Sequence, residues 1–348
     1  MDRSRASLVR ALLRWYDAER RDLPWRGIDD PYAVWVSEVM LQQTRVETAT
    51  PYFLAWMEHF PDLETLAASD RDAVLRSWQG LGYYSRARNL HEAARVVVAQ
   101  HGGRMPTTRD GLMRLPGIGA YTAGAIASIA FGEAVPAVDG NVLRVLARLT
   151  GNDVDITTPN GRKVLTEAAT GFVPRDRPGD WNQALMELGA TLCTPRSPDC
   201  DRCPVRADCV AHRTGRTLTL PARSAKPAPR EVRMRLAWVE CDDAVLLTRA
   251  PENGLLGGLW GLPGGPDDRP LGRMVREQTG VRVRQGRLLG ETEHRFTHRL
   301  WRIEVRRCRV TGQDDGAADG TAWVPKARLH EQAIATAHRK ALACALSG

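Results

Sequence analysis

Four thiols fall within seventeen residues of one another: Cys193, Cys200, Cys203 and Cys209, spaced Cys-x6-Cys-x2-Cys-x5-Cys. Thiolate sulfur is the usual protein ligand of both iron–sulfur clusters and structural zinc. Zinc sites usually show two Cys-x2-Cys pairs and this chain has one, which tilts the spacing toward iron–sulfur without removing zinc. With all four positions filled, none is open for substrate, so the centre reads as structural. Free buried thiols are the bland alternative, but unpaired cysteines rarely gather so tightly. A second chemistry belongs to Leu115-Pro116-Gly117-Ile118-Gly119. Its glycines allow a tight turn, and the N–H groups at the start of the following helix can hold a phosphate. An ordinary helix–helix turn has the same composition. Glu38 sits among apolar residues in AVWVSEVML. A carboxyl that loses hydration there has a raised pKa and keeps a proton to donate; on a solvated helix face it would be inert. Asp139, just before NVLRVLARL, is placed to cap a helix, and helix-start N–H groups favour its charged form.

Helices must position these groups. Apolar residues recur three and four apart from the N-terminus to about residue 212. Asp30-Pro31 opens a helix through AVWVSEVMLQQT, and Ser69 or Asp70 can cap RDAVLRSW. RARNLHEAARVVVAQH stops at Gly102-Gly103, YTAGAIASIAF follows the glycine-rich turn, and WNQALMELGATLC leads into the thiols. The stretch over 213–231 is rich in Pro, Ala and basic residues and reads as a linker. Beyond it, RMRLAWVEC, AVLLTRA, VRVRQGRLLG and HRLWRIEVRRCRV alternate as strands, joined by Gly/Pro turns such as NGLLGGLWGLPGG. LGRMVREQTG and EQAIATAHRKALACAL read as helices, which completes a small α+β domain.

The 348 residues are too many for one ordinary core. Lys+Arg outnumber Asp+Glu by 49 to 41, an excess that suits a polyanion such as nucleic acid. Only four of the cations are lysines, Lys163, Lys226, Lys326 and Lys340, so nearly all the positive charge is arginine. Arginine grips phosphate through a planar fork but cannot form an imine. An odd total of seven cysteines argues against a disulfide framework and for a reducing compartment. No signal peptide or run of 18 apolar residues stands out, so a cytoplasmic protein with no membrane association is expected.

Taken in order, LPWR at 23–26, SEVMLQQT at 37–44, GLGYYSRARNL at 80–90, LPGIGAYTAGAI at 115–126, VDGNVLRVLAR at 138–148 and the thiol loop at 193–209 resemble the MutY branch of the endonuclease III glycosylases. The resemblance spans almost the whole chain. It implies a mostly α N-terminal region, with a helix-hairpin-helix glycosylase fold (six-helix barrel plus iron–sulfur helical domain) over 1–212. The linker and a Nudix-like domain over 232–348 would follow. It also implies a [4Fe–4S] cluster on Cys193, Cys200, Cys203 and Cys209. The implied activity is excision of adenine opposite 8-oxoguanine or guanine in double-stranded DNA, by a monomer.

Carried over position by position, the resemblance makes Glu38 the general acid and Asp139 the anion that balances the sugar cation, supported by Tyr121 and Asn141. Arg26, Gln183, Trp25 and Leu41 match the adenine pocket. Gln43 and Tyr83 match residues that wedge into the duplex beside the oxidised base, and Pro116, Gly117, Ile118 and Gly119 match the phosphate-holding hairpin. Lyase relatives place a lysine where this chain has Tyr121, and no lysine precedes Lys163, so a monofunctional glycosylase is expected. Phe296-Thr297-His298 resembles the family's Phe-Ser-His loop for 8-oxoguanine, with Thr for Ser. In Arg276-Glu277-Gln278-Thr279-Gly280 the paired acids of a Nudix hydrolase are missing, which argues against nucleotide hydrolysis. Two other readings stand against this one: a pyrimidine glycosylase with lyase activity, opposed by the missing lysines, and a cluster-bearing DNA-binding protein that does not cut.

Overall fold

The computed structural model describes residues 3–225, 228–252, 254–314 and 318–347, and of residue 4 the backbone alone. The chain divides into two compact units, Met1–Ala68 with Asn89–Ala225, and Ser69–Arg88 with Lys226–Gly348.

The first unit is helical. Its elements are α1 (Arg3–Glu19), α2 (Pro31–Leu41), α3 (Val46–His59) and α4 (Leu63–Ala68). After α5 (Arg71–Ser77), which belongs to the other unit, come α6 (Ser85–His101), whose first four residues are also counted with the other unit, α7 (Arg109–Leu112), α8 (Ala120–Phe131), α9 (Gly140–Thr150), α10 (Pro159–Thr170), α11 (Pro178–Thr191) and α12 (Val210–Arg213). α2 starts where Asp30 accepts the Tyr32 and Ala33 N–H groups and Pro31 fills the first helical position. It is buried from Tyr32 through Met40, so it crosses the unit's interior. α8 is built of small residues because its neighbours come close. A Cβ on Gly124 would stand 2.3 Å from the Pro136 carbonyl oxygen. α1, α9 and α11 share one core around Leu12, Tyr16, Leu146, Trp181 and Leu185, where each fully buried aliphatic side chain contributes roughly 1.5–3 kcal/mol.

The second unit carries a mixed sheet of β1 (Arg230–Cys241), β2 (Ala244–Arg249), β3 (Trp260–Gly261), β4 (Gly264–Pro266), β5 (Val281–Arg295), β6 (Arg299–Gln313) and β7 (Thr321–Pro325), with α13 (Leu271–Thr279) and α14 (Thr336–Ser347). The strand order is β3-β2-β1-β6-β5, with β4 on β1 and β7 on β2. β1 and β6 run parallel, and β5 and β6 form a long antiparallel ribbon from Val281↔Gln313 to Arg295↔Leu300. Residues 69–88 pack with this unit: Asp72 pairs with Arg249 at 2.6 Å, Arg71 pairs with Glu252, and the Arg88 guanidinium donates to the Gly257 carbonyl at 2.6 Å.

The expected helix over EQAIATAHRKALACAL begins later, at Thr336, because a 3₁₀ turn at Lys326–Glu331 and a bridge from Ile334 to Trp260 take up its first residues. The glycine-rich stretch read as turns contains β3 and β4. Within the stretch read as a linker, Leu220 is buried and Ser224 bonds to Asp155, which ties this part to the helical unit. Lys226 and Pro227 of that stretch lie outside the described residues. Among the described residues, no helix is long and apolar enough to cross a membrane.

Candidate active site

α2 carries Glu38 into the interior of the helical unit, where it is 7% exposed. The Tyr121 hydroxyl, one residue into α8, donates a short hydrogen bond to Glu38 Oε2 and also lies 3.2 Å from Met186 Sδ. Burial pushes the Glu38 carboxyl up to about 7, helped by the nearby Asp139 charge and opposed by the Tyr121 bond and the Arg26 guanidinium. At neutral pH this acid therefore keeps its proton on a large fraction of molecules.

Asp139 caps α9, its Oδ1 accepting the Val142 N–H at 2.7 Å. Burial raises its carboxyl too, which departs from the usual preference of an N-cap for the charged form. Backbone N–H groups of Val142 and Asn141, the Arg144 cation and the Asn141 side chain pull in the other direction. Asn141 Oδ1 in turn accepts from Arg144 Nη2 at 2.8 Å. α11 can lie this close to Asn141 because Gly189 has no side chain; a Cβ there would come within 2.7 Å of the Asn141 Cβ.

A cavity of about 440 Å³ opens beside these groups, lined by Leu41, Gln43, Tyr121, Asp139, Gly140 and Arg162 among others. That volume lies within the roughly 300–1,000 Å³ usual for small-molecule pockets. Leu41, Gln43, Tyr121 and Asp139 thus meet at one opening, and Glu38, not itself a lining residue, is joined to it through the Tyr121 hydroxyl. Arg26, Trp25 and Gln183 are not among the residues that line it. The Arg26 guanidinium is bound to Glu187 at 2.5 Å and to the Arg21 carbonyl at 3.0 Å. Trp25 is buried edge-on to Phe53, 5.4 Å between ring centres. Gln183 lies half-buried on α11.

Glu187 was not foreseen. It is 1% exposed and accepts from both Arg21 and Arg26. Burial alone would raise its carboxyl, but those two cations hold it at about 2. The only sequence signal was an acid inside the apolar run ALMELGA. Asn182 was also unforeseen; fully buried, it bonds to the Ala137 N–H, Ser128 Oγ and the Val135 carbonyl, and so fixes the approach to Asp139.

The hairpin lies between α7 and α8. Gly117 takes φ +74, and a Cβ there would also collide with Asn89 at 2.4 Å. Leu115 and Ile118 anchor it in the core, while Gly117 and Gly119 stay exposed. Gly119, the residue that precedes α8, supplies no side-chain cap, so the helix's first N–H groups are available to an anion.

Three non-glycine residues among those described have positive φ: Gln43 at 60°, Tyr83 at 48° and Asp242 at 52°. Such conformations cost on the order of 1–3 kcal/mol each and collect where function demands them. In the sheet unit the exposed Tyr83 hydroxyl is hydrogen-bonded to Thr297 Oγ1. Thr297 and His298 form the tip of the β5–β6 hairpin, closed by Phe296 N–H to the Arg299 carbonyl at 2.8 Å. Phe296 is stacked edge-on between His294 and Trp301, at 4.5 and 4.8 Å.

Cys193, Cys200, Cys203 and Cys209 line a single small cavity with Arg148, Leu192 and His212. Arg148, 2% exposed on α9, donates to the Thr194 carbonyl and Cys193 Sγ, and Arg144 donates to the Cys193 carbonyl. The four thiols face one shared space, which is the arrangement a single four-thiolate centre requires. Four thiolate positions around one cavity fit the ligand set of an iron–sulfur cluster.

Comparison with known proteins agrees with these features. Residues 36–169 match the HhH-GPD superfamily of base excision DNA repair proteins, residues 193–209 the iron–sulfur binding domain of endonuclease III, and residues 235–344 the NUDIX domain. The adenine DNA glycosylase of Homo sapiens is 37% identical over 394 residues, covering 95% of this chain and 72% of that protein. That of Mus musculus is 38% identical over 393 residues, covering 94% and 76%. The structure of a thermostable thymine-DNA glycosylase superposes with a TM-score of 0.56 at 30% identity, covering 61% of this chain and 97% of that one.

Proposed function

The chain belongs to the adenine DNA glycosylase family of base excision repair, and from that premise we propose that it removes adenine paired with 8-oxoguanine or guanine and leaves an intact abasic strand. The observation that carries this reading is the buried Glu38, bonded by Tyr121 at a cavity that Asp139 also lines.

Adenine is a poor leaving group as an anion. Glu38, protonated near neutral pH, delivers its proton to a ring nitrogen of the extruded base. The bond from C1′ to the base nitrogen then breaks, and its electron pair leaves with neutral adenine. Asp139 balances the positive charge left on the sugar, or bonds to it transiently. Water adds to C1′, displacing Asp139 where it has bonded, and passes a proton to the Glu38 carboxylate, which regains the proton it gave to adenine. Asn141 and Tyr121 hold the two carboxyls. Gln43 on the helical unit and Tyr83 on the sheet unit each act as a wedge into the duplex, and Thr297 with Phe296 and His298 meets the oxidised base. Leu41 lines the cavity that receives the adenine; Arg26, Gln183 and Trp25, which do not line it, reach the base only if the pocket rearranges, and for Arg26 this requires release from Glu187 or recognition by the pair together. The hairpin at Pro116, Gly117, Ile118 and Gly119 holds a backbone phosphate.

The cofactor is a [4Fe–4S] cluster, and Cys193, Cys200, Cys203 and Cys209 are its ligands. When bound it cross-links the 193–209 loop at four points, and Arg144 and Arg148 tie that loop to α9.

Strand cleavage through an imine needs an amine, and Tyr121 stands where a lyase would carry lysine. A single-turnover assay on a duplex with one adenine opposite 8-oxoguanine tests both halves of the reading. Adenine release with scission only after alkali is expected. Scission without alkali, or a stoichiometric adduct trapped by borohydride, overturns the monofunctional half; absence of adenine release overturns the whole.

A further inference from the structure

Arg86 belongs to none of the sites above, yet among the described residues it is one of the few buried cations, 8% exposed at the start of α6. Its guanidinium lies 5.1 Å from the centre of the Trp78 ring and 5.5 Å from the centre of the Tyr83 ring. Its Nη2 donates to the Leu81 carbonyl at 3.1 Å and to the Gly82 carbonyl at 3.2 Å. Trp78 Nε1 donates to the same Gly82 carbonyl at 3.0 Å. The segment these bonds hold contains Gly80 at φ 111°, Gly82 at φ 69° and Tyr83 at φ 48°. Nothing in the local sequence favours a left-handed tyrosine, so its surroundings must impose that conformation.

We propose that Arg86 is the positioning residue for Tyr83: its guanidinium, held between the Trp78 and Tyr83 rings and bonded to the two preceding carbonyls, fixes the tyrosine hydroxyl on Thr297 and so sets discrimination between the oxidised and the ordinary purine opposite adenine. This rests on the reading of Tyr83 and Thr297 as contacts to that base. A planar cation is required for two reasons. Only guanidinium can present a flat face to an aromatic ring while its edge donates to carbonyls in the plane. A lysine keeps the charge but loses the plane. Desolvation supports a fixed role: burial lowers the Arg86 guanidinium to about 10, a cost no surface arginine bears.

The test compares Arg86→Lys, Tyr83→Ala and the double variant in the full-length, cluster-loaded protein. Affinity for duplexes with adenine opposite 8-oxoguanine and opposite guanine is measured, together with the single-turnover rate of adenine release at saturating enzyme. Arg86→Lys is expected to weaken binding to the 8-oxoguanine duplex about tenfold and the guanine duplex much less, with the saturated rate within about threefold. Because Arg86 acts through Tyr83, the double variant should be no worse than Tyr83→Ala alone. Multiplied losses in the double variant, or unchanged discrimination in Arg86→Lys, overturn the proposal. If Tyr83→Ala itself leaves discrimination intact, the reading of Tyr83 fails instead, which the single variant shows on its own. Should Arg86→Lys fold poorly, fluorotyrosine at position 83 of the otherwise unchanged protein still decides: slow ring flipping is expected, and a freely flipping ring overturns the clamp.

Discussion

Glu38 in the helical unit and His338 in the sheet unit are both shielded ionisable groups, but they are shielded to opposite ends. His338 packs its ring over Gly261, where a Cβ would come within 2.6 Å, and Nδ1 accepts the Leu262 N–H at 3.1 Å. Burial, aided by His294, lowers it to about 4, so it is neutral and serves as a spacer and acceptor. Glu38 is raised to about 7 and bonded by one hydroxyl, with a cavity beyond. A structural group is moved away from the working pH, whereas a group that must exchange protons is moved onto it. Both shifts come first from loss of water. The difference lies in whether the protonation state that burial imposes is finished chemistry or reactive.

The largest effect expected from breaking that contrast is on catalysis. Glu38→Gln keeps the size of the side chain and an acceptor for the Tyr121 hydroxyl but removes the proton. Single-turnover adenine release should fall by about 10³-fold, within the usual range for a lost general acid, while duplex affinity stays within about threefold. A fall of less than tenfold would mean that Glu38 donates nothing. The rate of the unsubstituted protein should decline above a pH of about 7 as Glu38 loses its proton.

The same two residues should give opposite pH signatures in stability. For Glu38 the folded value lies above the ordinary 4.5, so its contribution is fully present below 4.5 and is lost as pH rises through about 7. Above pH 7, Glu38→Gln should therefore be more stable than the parent, by about 3 kcal/mol. For His338 the folded value lies below the ordinary 6.5, so its contribution is present above 6.5 and is lost as pH falls through about 4. His338→Phe should abolish that acid-side loss. With two units, global melting would blur the signals, so hydrogen exchange of α2 and α14 amides is the measurement. Two profiles with the same sign would show that the contrast is wrong.

Much of this organisation was legible in the sequence, and the reason is local. Cysteine spacing, the glycine hairpin, Asp30 and Asp139 as caps and the change from helical to alternating pattern near residue 230 are all encoded within a few turns of chain. What escaped depends on partners far apart. Glu187 is at about 2 because of Arg21 and Arg26, some 160 residues away. Residues 69–88 pack with the sheet through Asp72–Arg249 and Arg71–Glu252, and neither pair leaves a periodic trace. The same packing bears on experiment: deleting residues 232–348 would strip 69–88 of these partners, so point substitution at Thr297 is the cleaner probe of the hairpin.

Backbone strain offers the finest test of the contrast between groups placed for packing and groups placed for work. Gln43 lines the cavity and adopts φ 60°, a conformation glycine takes without penalty. If the side chain served the fold, Gln43→Gly would remove useful contacts and destabilise the helical unit. The expectation is the reverse. Relief of the left-handed conformation should stabilise that unit by about 0.5–1 kcal/mol, reduced from the strain itself by the greater freedom of an unfolded glycine. Affinity for the mispair should drop about tenfold, because the group meant to fill the emptied stack is gone. Denaturant titration read through α2 exchange gives the first quantity and equilibrium binding the second. Loss of stability together with unchanged binding would place Gln43 with His338, among the residues that only build the fold.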